Sequence, residues 1–294
     1  MTPRTPLEFA STPEGITFFE AYDALIFRAG ARPVDVETSH GSTRVNSLGT
    51  APDTPVVLLP GAGATSASFV DVLRPLASRR HVHAVDILGD TGRSIPGPGR
   101  PRTVTELLGW LDEVLDALGV DEVDLAGHSY GAMIALAYAT GGHRDRVRHL
   151  TLLEPTSCFV GFRAGYLLRA LPTLVAPNPD RQRRFLEWET AHARLDDGWV
   201  QMYCAGARFP TGKTIVPGRP SAEALSTLDG GKAVTMIFAP HSRAHDPVHV
   251  ATRIRAVLPD SRIIMLRNGS HHTVPLFPAD EITEALMGSA ASGG

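Results

Sequence analysis

Two cysteines, Cys158 and Cys204, are all that 294 residues contain. That is too few for a disulfide framework, and neither stands in a metal-ligand spacing. Two buried thiols in a reducing cytoplasm are expected. Lysine is equally scarce, with Lys213 and Lys232 the only two, so arginine carries the basic side. Neither sign of charge is in excess. A net charge of −3 points to neither nucleic acid nor an anionic membrane as partner. No apolar run approaches the ~20 residues that span a bilayer. The stretch from Met1 to Gly15 carries Pro, Thr and Glu where an export signal needs an apolar core, so a cytoplasmic location is expected. There is no phosphate loop and no Gly-x-Gly-x-x-Gly fingerprint, hence no implied cofactor. Oligomeric state is not legible.

What is present is ordinary for a globular protein: 43% hydrophobic and 20% charged residues. The length fits one α/β domain with an inserted subdomain. Residues 17–28 have helical apolar spacing. Runs at 34–39 and 42–48 flank Gly41 as a hairpin. Val56–Leu59 is a short, wholly apolar run of the kind that forms a buried strand. A helix over 69–77, a strand over 81–87 and a helix opened by the Thr103/Glu106 capping box follow. Strand 123–126, an Ala-rich helix over 130–139 and strand 147–153 continue the alternation. It lapses between 156 and 228, where the chain is helical, Pro-broken and strand-poor. It resumes with strand 233–239, helix 247–257, strand 262–266 and helix 279–287. Alternation of this kind predicts a mostly parallel sheet with helices on both faces. Residues 1–155 and 229–288 are therefore expected to form the core, 156–228 a helical cap, and 289–294 a disordered tail.

One segment carries chemistry. Gly127-His128-Ser129-Tyr130-Gly131 lies between an apolar strand and a helix. A strand-to-helix turn this tight strains its central residue and holds the Ser129 hydroxyl above the sheet edge. A helix N-terminus there favours developing negative charge. Gly127 and Gly131 keep side chains out of a crowded crossing.

From about Phe18 to Met287 the chain resembles the α/β-hydrolase superfamily, and within it bacterial carboxylesterase-like proteins. The closer likeness rests on Ala21-Tyr22-Asp23 ahead of His40-Gly41-Ser42-Thr43, on Leu58-Leu59-Pro60-Gly61-Ala62-Gly63, and on Val85-Asp86-Ile87-Leu88-Gly89-Asp90-Thr91-Gly92-Arg93-Ser94. The second Asp of that last segment is uncommon in the wider superfamily. The resemblance implies an α/β-hydrolase fold with an eight-stranded, mostly parallel sheet and a helical cap. It implies Ser129 as nucleophile, with the main-chain amides of Tyr130 and Ala62 as the oxyanion hole. Many relatives have His-Gly where this chain has Pro60-Gly61, but a main-chain donor survives that change.

A serine hydroxyl needs an adjacent base. In the family pattern the base follows the last strand, with a proline seven residues on. Pro278 is seven after His271, which favours His271; His272 is the alternative. His128 is expected to be a packing residue, and His241, His245 and His249 surface residues. The acid usually follows the penultimate strand, but aligned from the strand end that position holds Ser242, which cannot carry charge. Two carboxylates remain. Glu154 closes the strand one step past the nucleophile, where haloalkane dehalogenases keep their acid, and is preferred. Asp246 is the alternative, although an Asp before Pro247 also suits a helix N-cap.

In the cap, Phe159, Phe162, Tyr166, Leu167, Leu168, Leu171, Leu174, Val175, Phe185, Trp188 and Trp199 predict an apolar roof with a subset facing Ser129. Arg163 and Arg169 lie in the cap, where one could bind a substrate carboxylate, and no basic cluster is expected near the motifs. The expected substrate is an apolar small-molecule ester or thioester. The same site could serve acyl transfer or cyclisation, and a ligand receptor on this fold is a third possibility.

Overall fold

The computed structural model describes residues 5–228 and 233–288. The tail from 289 onward therefore lies outside the described residues. The strands are β1 (Arg32–Thr38), β2 (Gly41–Leu48), β3 (Val56–Leu59), β4 (Val82–Val85), β5 (Ile95–Pro96), β6 (Val123–His128), β7 (Val147–Leu153), β8 (Ala233–Phe238) and β9 (Arg262–Met265). The helices are α1 (Pro6–Ala10), α2 (Pro13–Ala29), α3 (Val70–Ala77), α4 (Val104–Ala117), α5 (Tyr130–Thr140), α6 (Ala164–Val175), α7 (Pro179–Glu189), α8 (Asp197–Ala205), α9 (Ala222–Ser226), α10 (Pro247–Val257) and α11 (Ala279–Gly288).

The main sheet runs β1-β2-β4-β3-β6-β7-β8-β9, with the two-residue β5 on the flank of β2. From β4 to β9 every pairing is parallel, while β1 and β2 form an antiparallel hairpin. Side chains alternate across each strand, and the apolar run of β3 shows the result. Val57 and Leu59 join a core layer with α4, α5 and α10. Val56 and Leu58 join the opposite layer with α2, α3 and α11. This is why β3 reads as an unbroken apolar run: both faces are covered.

Local chemistry sets the boundaries. Thr103 and Glu106 form the reciprocal capping box that opens α4. Pro13 stands in the first turn of α2 behind the Thr12 cap, and Gly30 ends it in a left-handed conformation. Trp110 on α4 donates its indole N–H to Thr43 Oγ1 at 2.8 Å, tying that helix to β2. Four helices, α6 to α9, are inserted between β7 and β8, at the carboxyl ends of the central strands where open α/β sheets bind ligands.

Candidate active site

Three strained or crowded turns meet at the ends of β3, β6 and β7. Ser129 has φ 51° and Glu154 φ 47°, both in the left-handed region that non-glycine residues avoid. Such positions cost about 1–3 kcal/mol each and persist where surrounding structure fixes them. The Ser129 amide donates to Leu153 O at 3.0 Å, and the Glu154 amide to Ile237 O at 2.8 Å. Each turn is therefore fastened to the next strand. The glycines of the elbow are demanded by contact. A Cβ on Gly127 would sit 2.2 Å from Gly131 O, and one on Gly131 would sit 2.2 Å from Leu59 O.

Ser129 and Glu154 on these turns meet His271 from the loop after β9, all three of them buried. His271 Nε2 lies 3.0 Å from Ser129 Oγ, and His271 Nδ1 lies 3.2 Å from Glu154 Oε2. Burial alone would raise the Glu154 pKa, but the His245 and His271 rings more than offset it and hold the carboxyl well below the usual range. Burial pushes the His271 pKa below its ordinary value, although Glu154 pulls the other way. Ser242, at the position where the acid was expected and could not be, donates its hydroxyl to Glu154 Oε2 at 2.6 Å. The Ala239 amide donates to Oε1 at 2.9 Å.

The alternatives stand elsewhere. Asp246 caps α10 and pairs with Arg163 at 3.2 Å, with its side chain half exposed. His272 makes no hydrogen bond to Ser129; its Nδ1 lies 3.4 Å from Glu189 Oε2. His128 is buried, with Nε2 2.8 Å from His271 O. His241 and His249 are exposed. His245 is not the surface residue that its neighbours suggested. It is 1% exposed, with Nε2 3.4 Å from Glu154 Oε1, because the loop from 239 to 246 turns inward beneath the carboxylate.

The loop from 60 to 64 lies over Ser129. A Cβ on Gly61 would come 2.9 Å from His128 Nδ1 and 3.4 Å from Ser129 Cβ. Neither the Ala62 nor the Tyr130 amide donates to an acceptor among the described residues. Asp90, the uncommon second Asp, holds this loop, accepting from the Gly63 amide at 3.1 Å and the Thr91 amide at 2.7 Å. Burial lifts its pKa to about 6 against those amide bonds. Asp86 is fully buried and accepts from Tyr22, Ser66 and the Arg93 amide, which ties the segment around Tyr22 to the one that holds Asp86 and Asp90. Two residues beside the site carried no sequence signal. Thr156 Oγ1 lies 3.1 Å from Ser129 Oγ, and the buried Glu189 bonds the loop that carries His271.

The cap differs from its expected roof. The rings of Phe162 and Tyr166 stack on each other and stand edge-on to His271, centroids 6.3 and 6.2 Å away. Leu167, Leu168, Leu171, Leu174 and Val175 face outward instead, each at least 47% exposed. A cavity of about 580 Å³ opens beside Tyr130, with Leu88, Leu107 and Ile215 among its apolar walls. Arg100, Arg102 and Lys213 line it too. Asp90 stands among them, so the charged lining has both signs, drawn from segments more than 100 positions apart. Both cysteines are buried and free. Among the described residues no cluster of His, Cys, Asp and Glu could hold a metal, and no helix is long and apolar enough to cross a membrane.

Residues 56–285 match the model of the Alpha/beta hydrolase family. A protein of Bacillus subtilis (strain 168), described as "uncharacterized carboxylesterase nap", is 25% identical over 274 residues, 89% of this chain and 90% of that protein. Carboxylesterase YbfK of the same organism is 27% identical over 158 residues, 53% of each chain. Among solved structures, carboxylesterase CesB (YbfK) from Bacillus subtilis superposes with a TM-score of 0.84 at 21% identity, over 96% of this chain and all of that one. The naproxen esterase from Bacillus subtilis gives 0.83 at 24% identity, over 94% and 98%. Similarity at these identities speaks to the fold.

Proposed function

The chain belongs to the alpha/beta hydrolase family, and on that footing we propose that it is a serine carboxylic-ester hydrolase working through an acyl-enzyme. The observation that carries the reading is the unbroken chain from Ser129 Oγ through His271 to Glu154, at 3.0 and 3.2 Å. In this reading the Nδ1–H of His271 donates to Glu154, which leaves Nε2 free to accept the Ser129 proton as Oγ attacks the acyl carbon. The carbonyl oxygen gains negative charge and rests on the Ala62 and Tyr130 amides, each worth about 3 kcal/mol in the transition state. The proton on His271 passes to the leaving alkoxide or thiolate; His271 then takes a proton from the water that attacks the acyl carbon and returns it to Ser129 Oγ as the Oγ–acyl bond breaks and the acid leaves. Asp90 holds the Ala62 side of the hole through Gly63. The Nap and YbfK proteins are described as carboxylesterases, which supports the reaction class.

The substrate of this reading is a small ester with an apolar body, seated along the walls of the cavity beside Tyr130. The cationic lining at Arg100, Arg102 and Lys213 suits a terminal carboxylate on that body. Acyl transfer or cyclisation is a second reading, favoured by the Phe162 and Tyr166 rings beside His271, which limit the access of water. A ligand receptor would not need the aligned Ser129–His271–Glu154 chain.

The test is a panel of chromogenic esters and thioesters with the wild type and Ser129→Ala, with product masses recorded. Hydrolysis adds the mass of water to the acyl product and cyclisation does not. The variant is expected to fold and to lose activity by up to about 10⁶ in kcat. A fluorophosphonate should label Ser129 alone. A variant keeping a tenth of wild-type turnover would overturn the serine mechanism.

A further inference from the structure

The base loop is held from the cap. Glu189 closes α7, is 1% exposed, and points its carboxylate at a loop more than 80 residues further along the chain. Oε1 accepts from the His271 amide at 3.0 Å. Oε2 accepts from Ser270 Oγ at 2.8 Å and from the His272 amide at 3.2 Å. A buried carboxylate is tolerated only when donors replace its lost hydration, and here all three come from consecutive residues, Ser270 to His272. His271 is consequently gripped at three points. Glu154 holds its ring, His128 its carbonyl and Glu189 its amide.

The first two grips belong to the core, and the third belongs to the inserted helices. We infer that Glu189 is a positioning residue for His271, a cap-borne carboxylate that fixes the main chain of the base and makes its alignment with Ser129 depend on a docked cap. The inference rests on the reading of His271 as base. Glu189 also places a negative charge near the imidazolium that forms when Ser129 gives up its proton. The other groups around that ring are Glu154 at the end of β7, His128 at the end of β6, His245 from the loop before α10, His272 beside it, and Tyr166 on α6.

Glu189→Gln separates this role from simple space filling. An amide has one acceptor oxygen, so its NH₂ must face the His271 amide or the Ser270 and His272 donors. The measurements are the titration of His271 by NMR on histidine-labelled protein, and kcat and KM on a short chromogenic ester across pH. Ser270→Ala keeps the charge and removes one donor; Glu187→Gln on the same helix is the control. In Glu189→Gln the His271 pKa is expected to fall, the acid limb of kcat/KM to move with it, and kcat to drop roughly 10- to 100-fold, as misplacement of a catalytic group does. KM should stay within about threefold, because nothing that touches substrate has changed. Ser270→Ala should lower kcat by about tenfold at most and by at least about threefold, with the acid limb unmoved. A folded Glu189→Gln with unchanged His271 titration and unchanged kcat overturns the inference. If Glu189→Gln does not fold, wild-type kcat in Ser270→Ala overturns it instead. The NMR titration needs no substrate. A shifted His271 in a protein that turns over no ester would support the positioning role and sink the hydrolase reading. Normal ester turnover with no shift and no kcat change would do the reverse.

Discussion

Replacing Glu154 by Gln changes one atom and removes one charge, and its cost follows from the contacts of the carboxylate. Oε1 faces the Ala239 amide at 2.9 Å, and Oε2 faces both Ser242 Oγ at 2.6 Å and His271 Nδ1 at 3.2 Å. The Gln NH₂ must occupy one of these places. Toward Ala239 it opposes an N–H donor and strands a buried amide, a penalty of about 1–3 kcal/mol. Toward His271 it donates to Nδ1, which forces the proton onto Nε2, the atom that must accept from Ser129. The second arrangement puts the base in the wrong tautomer, and both lose the charge that stabilises the imidazolium. Loss of about 10⁴ in kcat is expected, equivalent to about 5 kcal/mol of barrier. Asp246→Asn is the matched control. Its side chain is half exposed, pairs with Arg163 and caps α10, and Asn still caps a helix well. Its kcat should stay within about twofold of wild type, with a stability change below about 1 kcal/mol. The assay is steady-state ester hydrolysis on both purified variants, with circular dichroism to verify folding. The acid assignment would be refuted by Glu154→Gln retaining a tenth of wild-type kcat, or by the two variants showing the reverse pattern.

Because burial holds the His271 pKa below 6.5, the neutral base persists into mild acid; kcat/KM should rise with pH along a limb whose midpoint lies below 6.5, and a midpoint above 7 would contradict the burial of that ring. His83 on β4 has its pKa lowered to about 4 by burial, with His81 adding to the effect. A folded-state pKa below the unfolded value means this stability is fully present above 6.5 and is lost as pH falls toward 4, about 3 kcal/mol in all; urea midpoints at pH 7.5 and 4.5 should show a smaller fall in His83→Gln than in wild type, and equal falls would refute the linkage. Lining of the cavity by Arg100, Arg102 and Lys213 predicts that a chromogenic monoester ending in a carboxylate is used at least as well as its neutral methyl ester at low salt, and that Lys213→Ala lowers only the anionic substrate's kcat/KM, by a few-fold. A neutral preference unaffected by salt or by Lys213→Ala would return the site to a purely apolar one.

What was legible in the sequence was whatever the backbone itself requires. Gly127 and Gly131 stand in the chain because any Cβ there would collide with main-chain oxygens, so the elbow announces itself. The capping box of α4 and the apolar run of β3 are similarly local. The two-residue β5 and the five-residue α1 leave no periodicity to detect, being shorter than a repeat of the pattern that would reveal them. Tertiary placement was the harder part. The leucines of α6 have the composition of a roof, yet the helix turns them outward and gives Tyr166 and Ala170 to the interior. Lys213 and Arg102 look unrelated in sequence because only the folded insert brings them to one cavity.

The acid illustrates how far a negative signal reaches. A serine where a carboxylate was expected says only that the charge lies elsewhere, and the sequence offered two places for it. The structure places Ser242 beside the Glu154 carboxylate, 2.6 Å away. Strands β7 and β8 are neighbours, so the turn that ends β7 and the loop that follows β8 open at the same edge of the sheet. A carboxylate on Glu154 reaches His271 from one strand over. The side chain at 242 then stands beside that carboxylate instead of carrying the charge itself. A second acid at 242 would lie against Glu154 and push its pKa upward, whereas a hydroxyl donates to it at 2.6 Å. The left-handed φ of Glu154 belongs to the same arrangement, since it turns the residue out of the line of β7 toward the base. Ser242 and Glu154 thus form a compensated pair. In the proposed triad, the serine at 242 is the residue that suits an acid on the neighbouring strand.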